Sequence, residues 1–246
     1  MKAIILAAGK GKRLHSEQFT APKVLREANG RPLLRYVVEN LDFIPEKKDI
    51  VIVVGYRKEM VTDAFQEGYT FAVQDEQLGT GHAVNCAREA LADYDGPVLV
   101  CYGDMPLFKK ETYQNLVKLH AEEGNDCTIL TGISNRGLAY GRIIRDESGH
   151  FTGVVEDRDC TPEQKKINEL NVGIYVFDSK KLFSCLGELK NSNAQGEYYL
   201  TDVPAIMMGK GWQIGTYTTR DDTEILGVNT PEELALCEEI LKSSDR

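Results

Sequence analysis

Positive charge is scarce in this chain: 29 Lys and Arg stand against 38 Asp and Glu in 246 residues, a formal net charge of −9. Nonspecific affinity for a polyanion needs a basic surface, so nucleic acid is not expected as a partner. The six cysteines (Cys86, Cys101, Cys127, Cys160, Cys185 and Cys237) form no Cys-x-x-Cys pair, and the four histidines show no His-x-x-x-His spacing. Those absences argue against a zinc site and a disulfide framework, and for reduced thiols in a cytoplasmic protein. No apolar run is long enough for a secretory leader or a membrane span, so no membrane partner is expected. Internal repeats and low-complexity tracts are also missing, including the hexapeptide repeats of a β-helix.

What is present begins at the first residues. An apolar run from Ala3 to Ala8 ends in Gly9-Lys10-Gly11-Lys12-Arg13, placing three cations within four residues of an otherwise acidic chain. Two glycines let backbone approach a ligand closely, and exposed N–H groups with Lys or Arg suit a phosphate. A Rossmann fingerprint would need a third glycine where Leu14 stands, and a Walker A loop needs Gly-Lys-Ser/Thr further on, so neither template fits. By itself the loop is also what an ordinary glycine turn between strand and helix looks like.

Farther along, β-branched runs alternate with amphipathic segments. Pro32 suits a first helical position before Leu33, Leu34, Val37, Val38 and Leu41, and residues 49–54 form a continuous apolar run stopped by Gly55. Such runs predict a largely parallel sheet covered on both faces. Thr80 reads as the N-cap of a helix reaching Leu91, which would turn the N–H groups of Gly79 to Gly81 toward a ligand. The strand 98–102 ends in Gly103-Asp104, at the sheet edge where open α/β folds bind ligands, although a lone Asp there is also a common turn former. After residue 131 the pattern changes to a hairpin, 140–144 and 151–156, and a further strand, 171–177, read as an antiparallel extension over the ligand edge. Residues 184–196 look loose, with Asn191-Ser192-Asn193 suggesting mobility. The tail starts a helix with Thr230-Pro231-Glu232-Glu233, a capping box with Pro at the first position. No Pro/Ser/Gly linker divides the chain, so residues 1–246 are expected to form one domain.

Taken together, these segments resemble a known family. Leu6-Ala7-Ala8-Gly9-x-Gly11-x-Arg13, Pro22-Lys23, Gln74 with Leu78-Gly79-Thr80, Tyr102-Gly103-Asp104-x-Pro106, Tyr140-Gly141-Arg142-Ile143, Val155-Glu156, Asn171-x-Gly173-Ile174-Tyr175, Gly196-Glu197-Tyr198-Tyr199-x-Thr201-Asp202 and Gly227-Val228-Asn229 occur in family order. They closely resemble the pyrophosphorylase domain of bacterial N-acetylglucosamine-1-phosphate uridylyltransferases, within the sugar nucleotidyltransferases. The resemblance implies an α/β, Rossmann-like nucleotidyltransferase fold with a mixed, mostly parallel central sheet and an antiparallel sugar-side extension. It also implies transfer of a uridylyl group from UTP to N-acetylglucosamine 1-phosphate, with Mg²⁺ as cofactor and release of pyrophosphate. The alternatives are a pyrophosphorylase for another sugar 1-phosphate or nucleotide, and a catalytically silent nucleotide-sugar binding subunit.

By the same resemblance Arg13, Lys23 and Asp104 would be catalytic. Leu6, Ala7, Ala8, Gly9, Gln74, Gly79 and Thr80 would bind the nucleotide. Thr80, Tyr102, Gly141, Glu156 and Asn171 would surround the sugar, and Asp104 and Asn229 would hold the metal. A hard ion with few protein ligands suits this pair, since phosphate oxygens and water complete its octahedron. Three departures stand out: Lys12 replaces the usual Thr or Ser, the segment from Arg13 to Pro22 is a few residues longer, and Ala21 replaces the usual Leu. The β-helix acetyltransferase half of the family's bifunctional members has no counterpart in this sequence.

Overall fold

The computed structural model describes residues 1–11 and 21–244. The first strand, β1 (Lys2–Ala7), is followed by a small hairpin, β2 (Glu27–Ala28) and β3 (Arg31–Pro32), then by α1 (Leu33–Asn40), β4 (Ile50–Val54), α2 (Lys58–Ala64) and β5 (Thr70–Val73). Next come α3 (Thr80–Cys86), β6 (Pro97–Tyr102), α4 (Lys110–Glu123), β7 (Cys127–Ile133), β8 (Gly141–Arg145) and β9 (Phe151–Val155). The last elements are β10 (Glu169–Asp178), α5 (Ser179–Leu186), α6 (Val203–Gly209), β11 (Ile214–Thr219) and α7 (Pro231–Ser244).

The main sheet runs β11-β7-β10-β6-β1-β4-β5, with β8 paired to β10 and β9 to β8. Along that path every strand but β10 points the same way, because β10 is antiparallel to both β6 and β7. From β1 the chain winds outward through β4 to β5, then crosses back to β6 on the other side of β1. Loops after β1 and β6 therefore diverge and leave a crevice at their carboxyl ends, the place where such sheets take ligands.

Alternation along β1 explains why its residues from Ala3 onward are all apolar. Ala3, Ile5 and Ala7 face a core built with α1, α2 and α4, including Leu34, Val37, Val61, Tyr113 and Leu116. Ile4, Leu6 and Ala8 face the opposite core with α3, α5 and α6, including Ala83, Val84, Leu182, Val203 and Met207. A strand buried on both faces cannot alternate apolar with polar residues. At the β2–β3 turn, Asn29 and Gly30 both take positive φ, 52° and 72°, the geometry that a tight hairpin requires.

Several local expectations differ from the structure. Pro32 is extended (φ −54°, ψ 141°) because it pairs with Glu27 in the hairpin, so α1 begins one residue later. Thr80 is the first residue of α3 and not its cap; Gly79 holds that position at φ 114°, and the Thr80 hydroxyl accepts from Leu200 N at 3.0 Å. The helix ends at Cys86, with a separate short turn at Glu89–Leu91. Residues 184–186 belong to α5, started by the Asp178 carboxylate accepting from Lys181 N at 2.8 Å. The Asn193 side chain accepts from Glu197 N at 3.1 Å and donates to Glu197 O at 2.6 Å, so this segment is stapled where the sequence reads as mobile.

Candidate active site

A cavity of about 910 Å³ opens at the crevice beyond β1 and β6. Leu6, Ala7, Ala8 and Gly9 line it from the end of β1, and Tyr102 and Asp104 line it from the end of β6. Gln74, Gly79 and Thr80 come from the β5–α3 loop, Lys23 from the segment before the hairpin, and Asn229 from the turn before α7. A Cβ added at Gly9 would meet no atom of the described residues within 4 Å, and Gly9 itself lines the cavity. Arg13 and Lys12 lie outside the described residues.

One wall is assembled by charge. The Lys23 ammonium is hydrogen-bonded to Asp104 Oδ2 and to Asn229 Oδ1, the latter at 2.8 Å. Backbone brings the partners there: Val228 N donates to Asp104 O at 3.0 Å, joining the β6 loop to the turn before α7. The predicted capping box forms as well, with Glu233 N donating to Thr230 Oγ1 at 3.2 Å. Glu233 Oε2 accepts from Thr230 N at 3.0 Å and from Asn229 N at 2.6 Å, so the cap of α7 also fixes Asn229.

Two oxygens, one carboxylate and one amide, thus converge on a single cation. That donor set fits Mg²⁺, which takes one or two protein oxygens and fills its remaining positions with phosphate and water. Among the described residues no three His, Cys, Asp or Glu side chains gather as a protein-only metal cage. The Lys23 ammonium is the stand-in positive charge between the two oxygens.

The Gly79 loop is held by a second, remote loop. Gly81 N donates to Tyr198 O and Tyr198 N to Leu78 O, both at 2.8 Å. The Gly81 N–H is therefore spent inside the protein and not turned to a ligand as the sequence suggests. A Cβ at Gly79 would come within 2.6 Å of Tyr198 O, so close approach of the two backbones requires glycine there.

The remaining residues expected to surround a sugar lie on β8, β10 and the end of β9. Asn171 pairs with Gly141 across β10 and β8, and a register shift between Asn171 and Ile174 bulges β10 at Gly173 (φ 77°). The Tyr102 ring lies on Gly173, where an added Cβ would sit 2.1 Å from Cε2. The Asn171 amide is held by the Tyr175 hydroxyl, donating to it at 2.7 Å and accepting from it at 3.0 Å. Glu156 accepts from Thr201 Oγ1 at 3.0 Å. Burial pushes its carboxyl above the ordinary 4.5, the Thr201 bond opposes this, and Asp202, Asp159 and Glu197 add to the rise. Burial likewise raises the Tyr102 phenol, with Glu156 and Asp104 adding to it. Gly141, Glu156 and Asn171 are not among the residues that line the cavity; Tyr102, which lines it, lies on Gly173 of the same bulge and feels the charge of Glu156.

Arg158 and Gln195 line the cavity too, though no sequence pattern marks them. Arg158 follows Glu156 by two residues, the one signal available. Glu197 sits in the Gly196-Glu197-Tyr198-Tyr199 motif and faces the same space. Tyr140, adjacent to Gly141, donates through its hydroxyl to Ile225 O at 2.9 Å and accepts from Gly227 N at 2.8 Å, which ties the start of the β8–β9 hairpin to the turn that carries Asn229.

A family model described as nucleotidyl transferase matches residues 2–222. The chain belongs to the nucleotidyl transferase family. Similar chains include the bifunctional protein GlmU of Streptococcus thermophilus, 43% identical over 240 residues, which cover 98% of this chain and 51% of that protein. The bifunctional protein GlmU of Clostridium novyi is 44% identical over 241 residues, 98% of this chain and 52% of the relative. The chain thus spans about half the length of these curated relatives. Among solved structures, a Bacillus anthracis chain described as a glucose-1-phosphate thymidylyltransferase, in complex with a sucrose, superposes with a TM-score of 0.75. At 22% identity, over 98% of this chain and 94% of that one, it shows that the two share the nucleotidyl transferase fold.

Proposed function

We propose that this nucleotidyl transferase moves a uridylyl group from UTP to N-acetylglucosamine 1-phosphate, giving UDP-N-acetylglucosamine and pyrophosphate. Residues 1–246 act as a single catalytic domain, working in the cytoplasm. The observation that carries the reading is the meeting of Lys23, Asp104 and Asn229 at the mouth of a cavity edged by the Gly9 and Gly79 loops. Support also comes from the 43–44% identity to the GlmU relatives and from six cysteines of which none is bridged.

The chemistry is an in-line displacement: an oxygen of the sugar phosphate attacks the α-phosphorus while pyrophosphate leaves. No covalent enzyme intermediate is needed, so catalysis is positioning and charge stabilisation. Lys23, together with Arg13, neutralises the charge that builds on the departing pyrophosphate. The Gly9 backbone, Gln74 and Gly79 hold the base, while Glu156 and Asn171, with Tyr102 and Thr80, hold the sugar. Asp104 and Asn229 would hold Mg²⁺, which would supply Lewis-acid polarisation of the phosphates.

The test is a pyrophosphate-release screen of nucleoside triphosphates against sugar 1-phosphates. UTP with N-acetylglucosamine 1-phosphate is expected to be fastest. Faster turnover of dTTP with glucose 1-phosphate would overturn the substrate assignment and leave the reaction class. No release with any pair would overturn both.

A further inference from the structure

The Gln74 side chain lies almost wholly buried at the cavity wall, and its surroundings leave its amide one orientation. One amide atom stands 3.1 Å from Gly79 O. A carbonyl oxygen can only accept, so that atom is Nε2. The same Nε2 stands 3.1 Å from His82 Nδ1. An amide nitrogen carries two hydrogens and no lone pair to offer, so Nδ1 accepts and the imidazole is neutral with its proton on Nε2. That nitrogen points along α3 to Cys86 Sγ at 4.0 Å, one turn on. Burial raises the Cys86 thiol above its ordinary value, with Asp75 adding to the rise, so the sulfur stays a neutral thiol able to receive a weak bond.

Both Nε2 hydrogens of Gln74 are therefore consumed inside the protein. Its Oε1 has no partner among the described residues and belongs to a residue that lines the cavity. Toward a ligand, Gln74 can only accept. Its backbone is pinned as well, by Gln74 N donating to Val54 O at 2.8 Å. The pairing edge of uracil offers an N–H at N3, whereas cytosine offers a bare N3 lone pair. Flipping the amide to suit cytosine would turn Oε1 against the Gly79 carbonyl and the His82 lone pair together.

We infer that His82 is a positioning residue that sets base specificity, locking Gln74 as an obligate acceptor and so selecting an N3–H pyrimidine over cytosine. The inference rests on the reading that this cavity takes a pyrimidine triphosphate with its base against Gln74. His82 itself does not line the cavity and acts through the Gln74 amide.

The experiment puts UTP and CTP in competition on the purified full chain, with N-acetylglucosamine 1-phosphate as acceptor, and reads the ratio of kcat/KM values. Wild type should favour UTP; if it does not, the functional reading fails irrespective of His82. Given that preference, His82→Phe keeps the ring shape without an acceptor and should lower the UTP-to-CTP ratio at least about tenfold, the scale of one mispaired buried polar group. His82→Asn places Oδ1 near the position of Nδ1 and should hold the ratio within about threefold of wild type. An unchanged ratio in His82→Phe, or an equal fall in both variants, overturns the inference. Heteronuclear NMR of the imidazole nitrogens in the wild-type protein needs no variant. A bare Nδ1 with a proton on Nε2 is expected, and a proton on Nδ1 overturns it.

Discussion

Asp104 and Asn229 offer oxygens of different charge to one cation, and the difference is useful. Asp supplies charge, while Asn adds a neutral oxygen that does not burden the site against an anionic triphosphate. Asp104→Asn keeps the side-chain shape and should fold normally, yet lower kcat by at least about 10²-fold, or about 2.7 kcal/mol. Asn229→Ala should raise the Mg²⁺ concentration for half-maximal activity, and the double variant should lose less than the sum of the two, because both serve one unit. Steady-state kinetics over a Mg²⁺ series measure all three; near-wild-type turnover by Asp104→Asn at limiting Mg²⁺ would refute the assignment. Glu156 makes a second case. Its folded-state pKa is raised, so the folded protein holds this proton more tightly than the unfolded chain. Stability is complete below the ordinary 4.5 and falls as pH rises through the raised value. Glu156→Gln removes that loss and should melt higher than wild type at about pH 8 but not at about pH 4. The same variant should lose about tenfold or more in kcat/KM for the sugar phosphate, since a charged acceptor is gone.

At the scale of elements, the start of α7 has two duties. Its capping box satisfies the open N–H groups of the helix, and through Glu233 Oε2 it also grips Asn229 N. Glu233→Ala should therefore cost about 1 kcal/mol in thermal or urea unfolding. It should also shift Mg²⁺ dependence in the same direction as Asn229→Ala, although residue 233 does not line the cavity. A stability loss with unchanged Mg²⁺ dependence would show the cap to be only a helix stop. This helix start was legible in the sequence because Thr-Pro-x-Glu is a local signal with a local cause. The β8–β9 hairpin and the strand ends at Gly9 and Asp104 were legible for the same reason, as runs stopped by glycine. What the sequence did not show were the partners of particular side chains, near or far. Thr80 looks like a cap, but its hydroxyl serves Leu200 N, 120 positions away, and the cap passes to Gly79. Residues 191–193 look loose because Asn and Ser favour turns, yet the Asn193 side chain closes that turn on itself. Arg158 and Gln195 reach the cavity through loop placement, which no periodicity encodes.

For the whole molecule, β10 is the joint. It hydrogen-bonds to β6 on one side and β7 on the other, so the winding half that carries the Gly9 loop and the half that carries the hairpin share one strand. Its residues Ile174 and Val176 enter one core, and Tyr175 and Phe177 the other. Neither half can come apart without exposing this strand, and calorimetry should record a single unfolding transition. Two resolved transitions would mean that the halves fold independently. No helix among the described residues is long and apolar enough to cross a membrane.

Lys23 has a bearing on how the protein endures without its ligands. An anionic pocket built for a divalent ion commonly leaves the apoprotein electrostatically frustrated, and stripping the ion then loosens the fold. Here the ammonium of Lys23 already sits on both Asp104 and Asn229, so the pocket is self-neutralised. EDTA should abolish turnover and leave the melting temperature of the nucleotide-free protein where it was. In Lys23→Met the pair lacks its own cation, and added Mg²⁺ alone should raise the melting temperature by more than it does in wild type, as preferential binding to the folded state requires. The lysine proposed to handle phosphate would thus also serve as an internal counter-ion, letting the enzyme rest between substrates without depending on bound metal for its shape.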